Sequence, residues 1–279
     1  MQPPEVILDQ EPEAYFASKG VSKHDLDMVN ISPAHYWSGK SIPREDPTPA
    51  MKMGTLVHTA ILEPDRFDST YIIAPDMDRR TKDGKAAWEA IESEASEFGK
   101  MVVKPSDLQH IQGMKESVFA HRSGSAALKA GGLIEASLYA THLETGVLRR
   151  GRPDLISKGN AIIDVKTCAK NYGGKAEFAR SVANFRYDVQ AAFYLDLAKS
   201  CGMEKEVFVF LVVEKEPPYA VAVYQLDAES VEAGRQQYLK NLQLLAECMQ
   251  FDEWPAYSSE VEVLSLPKWK LNQLQEAIA

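Results

Sequence analysis

Residues 151–166, Gly-Arg-Pro-Asp-Leu-Ile-Ser-Lys-Gly-Asn-Ala-Ile-Ile-Asp-Val-Lys, decide the fold of this chain. Two short apolar runs flank a Lys158-Gly-Asn160 turn, the pattern of a β-hairpin. Each expected strand carries one aspartate, Asp154 and Asp164, and Lys166 follows Asp164 by two residues. A strand alternates its side chains with period 2, so Asp164 and Lys166 share a face. On a solvated hairpin such a pair would be a surface contact worth almost nothing. Here Ile162, Ile163 and Val165 mark a central strand, where a carboxylate needs a partner to offset its burial. Two carboxylates and an ammonium at one end of a hairpin suit a hard divalent cation and phosphoester chemistry.

Outward from the hairpin, the first third of the chain reads as helical. Ser22 caps a helix through Asn30, and Ser32-Pro33 opens another with proline at its first position. Met51–Leu62 carries apolar residues at helical spacing and stops before Pro64, and Lys82–Phe98 and Pro105–Ala120 are amphipathic. Gly131-Gly132 breaks the pattern, and strands are expected over 133–141, 147–157 and 161–167. A helical stretch to about Ser200, interrupted near Asn184, precedes strands at 207–213 and 219–226. One long helix over 228–250 and an irregular tail close the chain.

Composition sets bounds. At 45% hydrophobic and 25% charged residues, the 279-residue chain is ordinary for a soluble globular protein. No apolar stretch approaches the roughly 20 residues of a membrane span. An acidic start without a basic region or apolar core shows no signal-peptide pattern, so a cytoplasmic location is expected. Cys168, Cys201 and Cys248 are too few to ligate an iron–sulfur cluster, which takes four cysteines. No Gly-x-x-x-x-Gly-Lys phosphate loop and no Gly-x-Ser-x-Gly elbow is present. The net charge is −9, yet residues 149–186 hold nine basic and three acidic residues, +6 locally and −15 elsewhere. A focused basic tract in an acidic body fits an enzyme that grips nucleic acid locally.

The pattern Gly151-x-Pro-Asp154, then Asp164-x-Lys166, resembles the PD-(D/E)XK nuclease superfamily, and within it the RecE-type phage and prophage exonucleases. The same resemblance runs through Val21-Ser-Lys-His-Asp-Leu, Ser32-Pro-Ala-His-Tyr, Met53-Gly-Thr-Leu-Val-His58 and Arg79-Arg-Thr-Lys-Asp-Gly-Lys85. It continues in Gln190-Ala-Ala-Phe-Tyr194, Trp254-Pro-Ala-Tyr and Leu266-Pro-Lys-Trp. It implies an α/β fold with a restriction-endonuclease-like core, a mixed central sheet flanked by helices and a helical N-terminal elaboration. On this reading residues 1–130 are the elaboration, with the His58 helix. Residues 131–250 are the nuclease core and 251–279 a tail, all in one domain.

The resemblance also implies a set of roles. Asp154, Asp164, His58 and the backbone carbonyl of Val165 would hold one or two Mg²⁺ or Mn²⁺ ions. Lys166 would position or help deprotonate the attacking water. By its position alone, mid-helix between apolar residues, His58 is an ordinary boundary histidine. Glu135 is either near a second cation or a strand-edge carboxylate in solvent. Gln190 and Tyr194, four apart on one helix face, would face the site and meet phosphate or orient the lysine. Arg152 could hold phosphate bidentately. Arg79, Arg80, Lys82 and Lys85 form a basic loop entering a helix that is either solvated surface or, as the resemblance implies, near the DNA path.

The expected activity is metal-dependent resection of linear duplex DNA from its ends, 5′ to 3′, for recombination. A ring-shaped homo-oligomer and a single-strand annealing partner come with the resemblance, in a phage- or prophage-bearing bacterial cell. Two alternatives stand beside it: a structure- or site-specific endonuclease of the same superfamily, and an inactive nuclease fold that binds DNA or protein.

Overall fold

The computed structural model describes residues 3–42 and 48–278. In chain order the elements are β1 (Glu5–Ile7), α1 (Pro12–Ala17), α2 (Lys23–Ile31), α3 (Pro33–Gly39), α4 (Pro49–Leu62), α5 (Pro64–Thr70), β2 (Tyr71–Ile73), α6 (Lys82–Glu97), β3 (Met101–Val103), α7 (Pro105–Ala120) and α8 (Arg122–Lys129). There follow β4 (Gly132–Ile134), β5 (Ser137–Thr141), β6 (Leu148–Gly151), β7 (Leu155–Ser157), β8 (Ala161–Cys168), α9 (Lys175–Asn184), α10 (Tyr187–Ser200), β9 (Val207–Glu214), β10 (Val221–Gln225), α11 (Ala228–Phe251) and α12 (Lys268–Ile278). No helix among the described residues is long and apolar enough to cross a membrane.

The main sheet has the order β10-β9-β8-β7-β4, with β8 at its centre. It is mixed: β8 runs parallel to β9, and the remaining pairs are antiparallel. Alternation along β8 sends Ile162 into a core shared with α2, α10 and α11. Ile163 and Val165 go to the opposite face, against α4 and α7. Asp164 and Lys166 have the parity of Ile162 and so face α10. Helices on both faces of a mixed sheet agree with the α/β architecture that the resemblance implies.

Local chemistry explains the helix starts. Ser22 Oγ accepts from the Asp25 N–H while Asp25 Oδ2 accepts from the Ser22 N–H, a capping box that opens α2. Ser32 and Thr48 cap α3 and α4, each with proline at the start. Pro64 does stop α4, but it also opens α5, because a proline that cannot continue one helix is well placed at the first turn of the next.

Other expectations are corrected. The tail is not irregular throughout, since 268–278 is helical. The short elements β1, α1, β2, β3 and α8 lack the length for a periodic signal. The expected strands 133–141 and 147–157 are each broken in two, at the same level. Ile134 pairs with Leu155 in the main sheet and Leu138 with Gly151 in a second sheet of order β1-β5-β6. Between them Glu135 takes φ +47° and Pro153 has no N–H to give a ladder. The paired ribbon therefore bends, the two bends joined by the Glu135 N–H donating to the Asp154 carbonyl at 3.0 Å. Asp154 consequently sits in the bend before β7, not on a strand as expected.

Gly151 ends β6 where α10 crosses it. A Cβ there would lie 2.7 Å from Leu197 Cδ2 and 3.0 Å from Tyr194 Cε1. Leu197 is fully buried and Tyr194 packs against the same core, so overpacking of about 1–3 kcal/mol follows from Gly151→Ala. The melting temperature of that variant should fall by roughly 2–10 °C in a thermal denaturation scan, with divalent-cation binding largely retained.

Candidate metal and phosphodiester site

Four segments converge at the ribbon bend. His58 comes from α4, Glu135 and Asp154 from the two bends, and Asp164 and Lys166 from β8. Strand β7 is short and pairs with β8 only at Leu155↔Ile163 and Ile156↔Ile162. Past Ile163 the β7-side edge of β8 is open. The Val165 N–H uses that opening to donate to Asp154 Oδ2 at 2.7 Å. A residue's N–H and C=O point to the same side of an extended strand, so the Val165 carbonyl faces the same gap.

Asp154 Oδ2 also lies 3.5 Å from His58 Nδ1. One donor atom each from His58, Glu135 and Asp154 falls within a 4.8 Å span. An imidazole and two carboxylates that close suit a divalent transition ion or Mg²⁺. Glu135 is thus part of the converging set and not a solvent-facing strand edge. Burial, then the charge of Asp154, pushes its carboxyl up to about 8, with Arg152 opposing.

Asp164 is handled differently. Its Oδ1 accepts from Gln190 Nε2 at 2.7 Å, and Lys166 Nζ lies 2.7 Å from Oδ2. Lys166 also donates to Gln190 Oε1 at 3.2 Å and sits 4.5 Å from the centre of the Tyr187 ring. Gln190 therefore bridges carboxylate and ammonium. Both Asp164 oxygens are therefore held, Oδ1 by the Gln190 amide and Oδ2 by the Lys166 ammonium. An imidazole and two carboxylates with one donor atom each inside a 4.8 Å span crowd negative charge that a divalent cation would offset, so the residues fit a divalent metal. Burial raises the Asp164 carboxyl to about 6, against the pull of Lys166. For Lys166 burial works to lower the pKa, but Asp164 and Asp154 outweigh it and the net shift is upward.

The remaining sequence candidates separate into near and local. Arg152 Nε lies 3.0 Å from Glu135 Oε2, so its charge is already committed inside the site. Tyr194 lies one turn beyond Gln190 and packs on Phe193 and Phe208. Burial holds its hydroxyl well above the usual phenol range. Arg79 stacks on Trp88 with its guanidinium 4.0 Å from the ring centre. Arg80 pairs with Asp78 at 2.9 Å, and Lys82 is an exposed first residue of α6. None of the three has a contact to the site residues among the described residues. Tyr187 was missed by sequence reasoning, although it shares a helix face with Gln190 and Tyr194 at spacings of three and seven.

A cleft of about 1840 Å³ opens over this region. Glu135, Arg152, Gln190 and Tyr194 line one part, and Lys19, Lys23, Lys40 and Arg150 line others. Arg150 closes the wall by donating to the carbonyls of Tyr15, Phe16 and Ser18 at 2.7, 3.0 and 2.7 Å, which pins α1 to β6.

The raised Glu135 carboxyl gives a pH signature to the metal-free protein. Its folded pKa exceeds the ordinary carboxylate value, so its stabilising contribution is complete below about pH 4.5 and is lost as pH rises through about 8. In chelator the melting temperature should therefore fall between pH 6 and 9, and Glu135→Gln should flatten that fall by several degrees. A pH series of melting curves with and without Mn²⁺ checks it. The cation should restore most stability at the alkaline end, where it meets the full carboxylate charge.

Comparison with known proteins bears on the fold and the family. A candidate exonuclease from Eubacterium rectale has a similar solved structure, with a TM-score of 0.61 at 12% identity, covering 95% of this chain and 98% of that one. At that identity the likeness concerns the fold alone. The structure of SSO0001 covers 78% of this chain and 82% of its own at 15% identity, with a TM-score of 0.27 that carries no argument. No curated protein matches the sequence. The family model described as a PDDEXK-like domain of unknown function, DUF3799, matches residues 27–267. With the His58, Glu135 and Asp154 donors and the Asp164-x-Lys166 pair all inside that span, the chain belongs to the DUF3799 family of PDDEXK-like domains.

Proposed function

We propose that this protein is a divalent-metal-dependent nuclease that resects linear double-stranded DNA from its ends. The observation that carries the reading is the convergence of His58, Glu135 and Asp154 beside the Asp164–Lys166–Gln190 unit, at the side of a cleft lined in part by Lys19, Lys23 and Lys40. Bound there, Mg²⁺ or Mn²⁺ would polarise a phosphoryl oxygen and make a water nucleophilic near neutral pH.

The chain's own residues supply the rest. Lys166, held cationic by Asp164 and Asp154, orients a water or offsets charge on the reacting phosphate; an ammonium with a raised pKa is a poor base. Gln190 fixes the lysine in place, and Tyr187 supplies an aromatic face beneath it. Asp164 anchors the lysine through Oδ2 and the Gln190 amide through Oδ1, and a carboxylate oxygen with a second lone pair could still meet a bound cation. Arg152 pairs with Glu135 and limits repulsion between the carboxylates.

Strand polarity from 5′ to 3′, a recombination role, a ring of subunits and a single-strand annealing partner follow from the resemblance to RecE-type exonucleases and belong to the same proposal. Digestion of linear, closed circular and end-labelled duplex DNA with Mg²⁺ or Mn²⁺ tests it. Mononucleotides released from linear DNA alone, starting at the 5′ label, are the expected result. Cutting of closed circles would make the protein an endonuclease. Absence of any metal-dependent cleavage would leave a binding module.

A further inference from the structure

Helix α3 and the segment after α11 build an aromatic surface that the reaction chemistry does not use. Trp37 stacks on Trp254 with ring centres 4.4 Å apart and planes 17° from parallel. Tyr36 packs on Trp254 from the core side, and His35 meets Tyr257 at 5.7 Å. The two layers are tied by the Ala34 N–H donating to the Pro255 carbonyl at 3.1 Å. Trp254 belongs to the core periphery, but Trp37 is 48% exposed and Tyr257 is 74% exposed. A tryptophan held flat by a second tryptophan and open to solvent is rigid in orientation, unlike a scattered surface apolar residue.

Two observations say what this surface faces. It adjoins the cleft: Tyr36, which packs on Trp254, lines the cleft together with Gly39 and Lys40 at the end of α3 and Met249 and Gln250 of α11. It also carries a cation, since Lys40 Nζ lies 4.6 Å from the centre of the Tyr36 ring. Flat aromatic rings beside an ammonium, next to a cleft whose lining includes Lys19 and Lys40, match the chemistry of an unpaired nucleic-acid strand. Bases stack on the rings and phosphates follow the cations. Duplex DNA, with its base faces already stacked, has nothing to offer Trp37.

We infer that the Trp37–Trp254 stack is a base-stacking platform for single-stranded DNA, placed to hold the strand that becomes unpaired at the cleft. This deepens the nuclease reading and rests on it, because it assigns the platform's ligand as the substrate's or product's unpaired strand.

The test uses the 279-residue chain in chelator and a labelled (dT)₂₀ oligonucleotide. Fluorescence anisotropy should show Trp37→Ala binding (dT)₂₀ about tenfold more weakly, with Trp37→Phe close to wild type. Blunt duplex binding and Mn²⁺ binding by calorimetry should be unchanged in both. Intrinsic tryptophan emission should be quenched by (dT)₂₀ in the wild type and much less in Trp37→Phe. That readout stands even if Trp37→Ala fails to fold. Equal (dT)₂₀ affinity in wild type and Trp37→Ala, or no quenching in the wild type, would overturn the platform. So would a change of oligomeric state by sedimentation in Trp37→Phe with (dT)₂₀ binding intact, which would make the stack a contact between copies. Metal-dependent cleavage measured on the same samples separates the two readings. A Trp37-dependent (dT)₂₀ affinity without cleavage removes the nuclease reading alone, and cleavage without Trp37 dependence removes the platform alone.

Discussion

Lys166→Met is expected to reduce metal-dependent DNA hydrolysis by roughly 10³-fold while leaving divalent-cation binding within a few-fold of wild type. The ammonium touches Asp164, Gln190 and the Tyr187 ring, but the converging donors of His58, Glu135 and Asp154 do not include it. Methionine keeps the stem's packing and removes the charge. The same change strips the counter-charge from a carboxylate that is 1% exposed. A buried charge left without its partner costs about 3–5 kcal/mol, unless it takes up a proton. The Asp164 carboxyl, already raised to about 6, rises further when Lys166 is lost. A raised carboxyl favours the fold at low pH and loses that effect as pH climbs, so the variant should melt well below wild type at pH 8 and approach it near pH 5. Single-turnover digestion, calorimetry with Mn²⁺ and melting curves at the two pH values measure these effects. A wild-type rate in Lys166→Met would remove the lysine from the chemistry.

Asp154→Asn separates shape from charge at the metal site. An asparagine oxygen can still accept the Val165 N–H at the place of Asp154 Oδ2, so the bend should keep its form. The carboxylate shared by the His58 and Glu135 neighbourhood disappears. Divalent-cation affinity is expected to fall by about 100-fold or more, and hydrolysis with it. In chelator the effect on stability has the opposite sign. Asp154 is the second-largest cause of the raised Glu135 carboxyl, so its neutralisation relieves like-charge repulsion and should raise the melting temperature at pH 8. A variant that binds Mn²⁺ as wild type does would show that Asp154 serves the Val165 contact alone.

Much of this architecture is legible locally. Alternation in Ala161–Cys168 makes β8 a central strand and sets Asp164 and Lys166 on one face. The Ser22 cap locates α2, Ser32 with its following proline locates α3, and the apolar spacing of Met51–Leu62 locates α4 apart from its first turn. Short-range rules suffice there because strand parity and helix capping involve residues at most a few positions apart.

The site itself is only half written that way. The sequence by itself determined the hairpin, the shared face of Asp164 and Lys166, and the common helix face of Gln190 and Tyr194. Only the tertiary structure decided that the two long strands bend together at Glu135 and Pro153. That bend lifts Asp154 off its strand, brings Glu135 into the donor set and commits Arg152 to Glu135 instead of leaving it free for phosphate. It was likewise the packing of α4 and α10 on opposite faces of β8 that delivered His58 and Gln190 to the same spot. The physical reason is that periodicity records which face a side chain takes. Where β7 ends, and which backbone groups of β8 are left open, depends on pairing between segments that no local pattern contains.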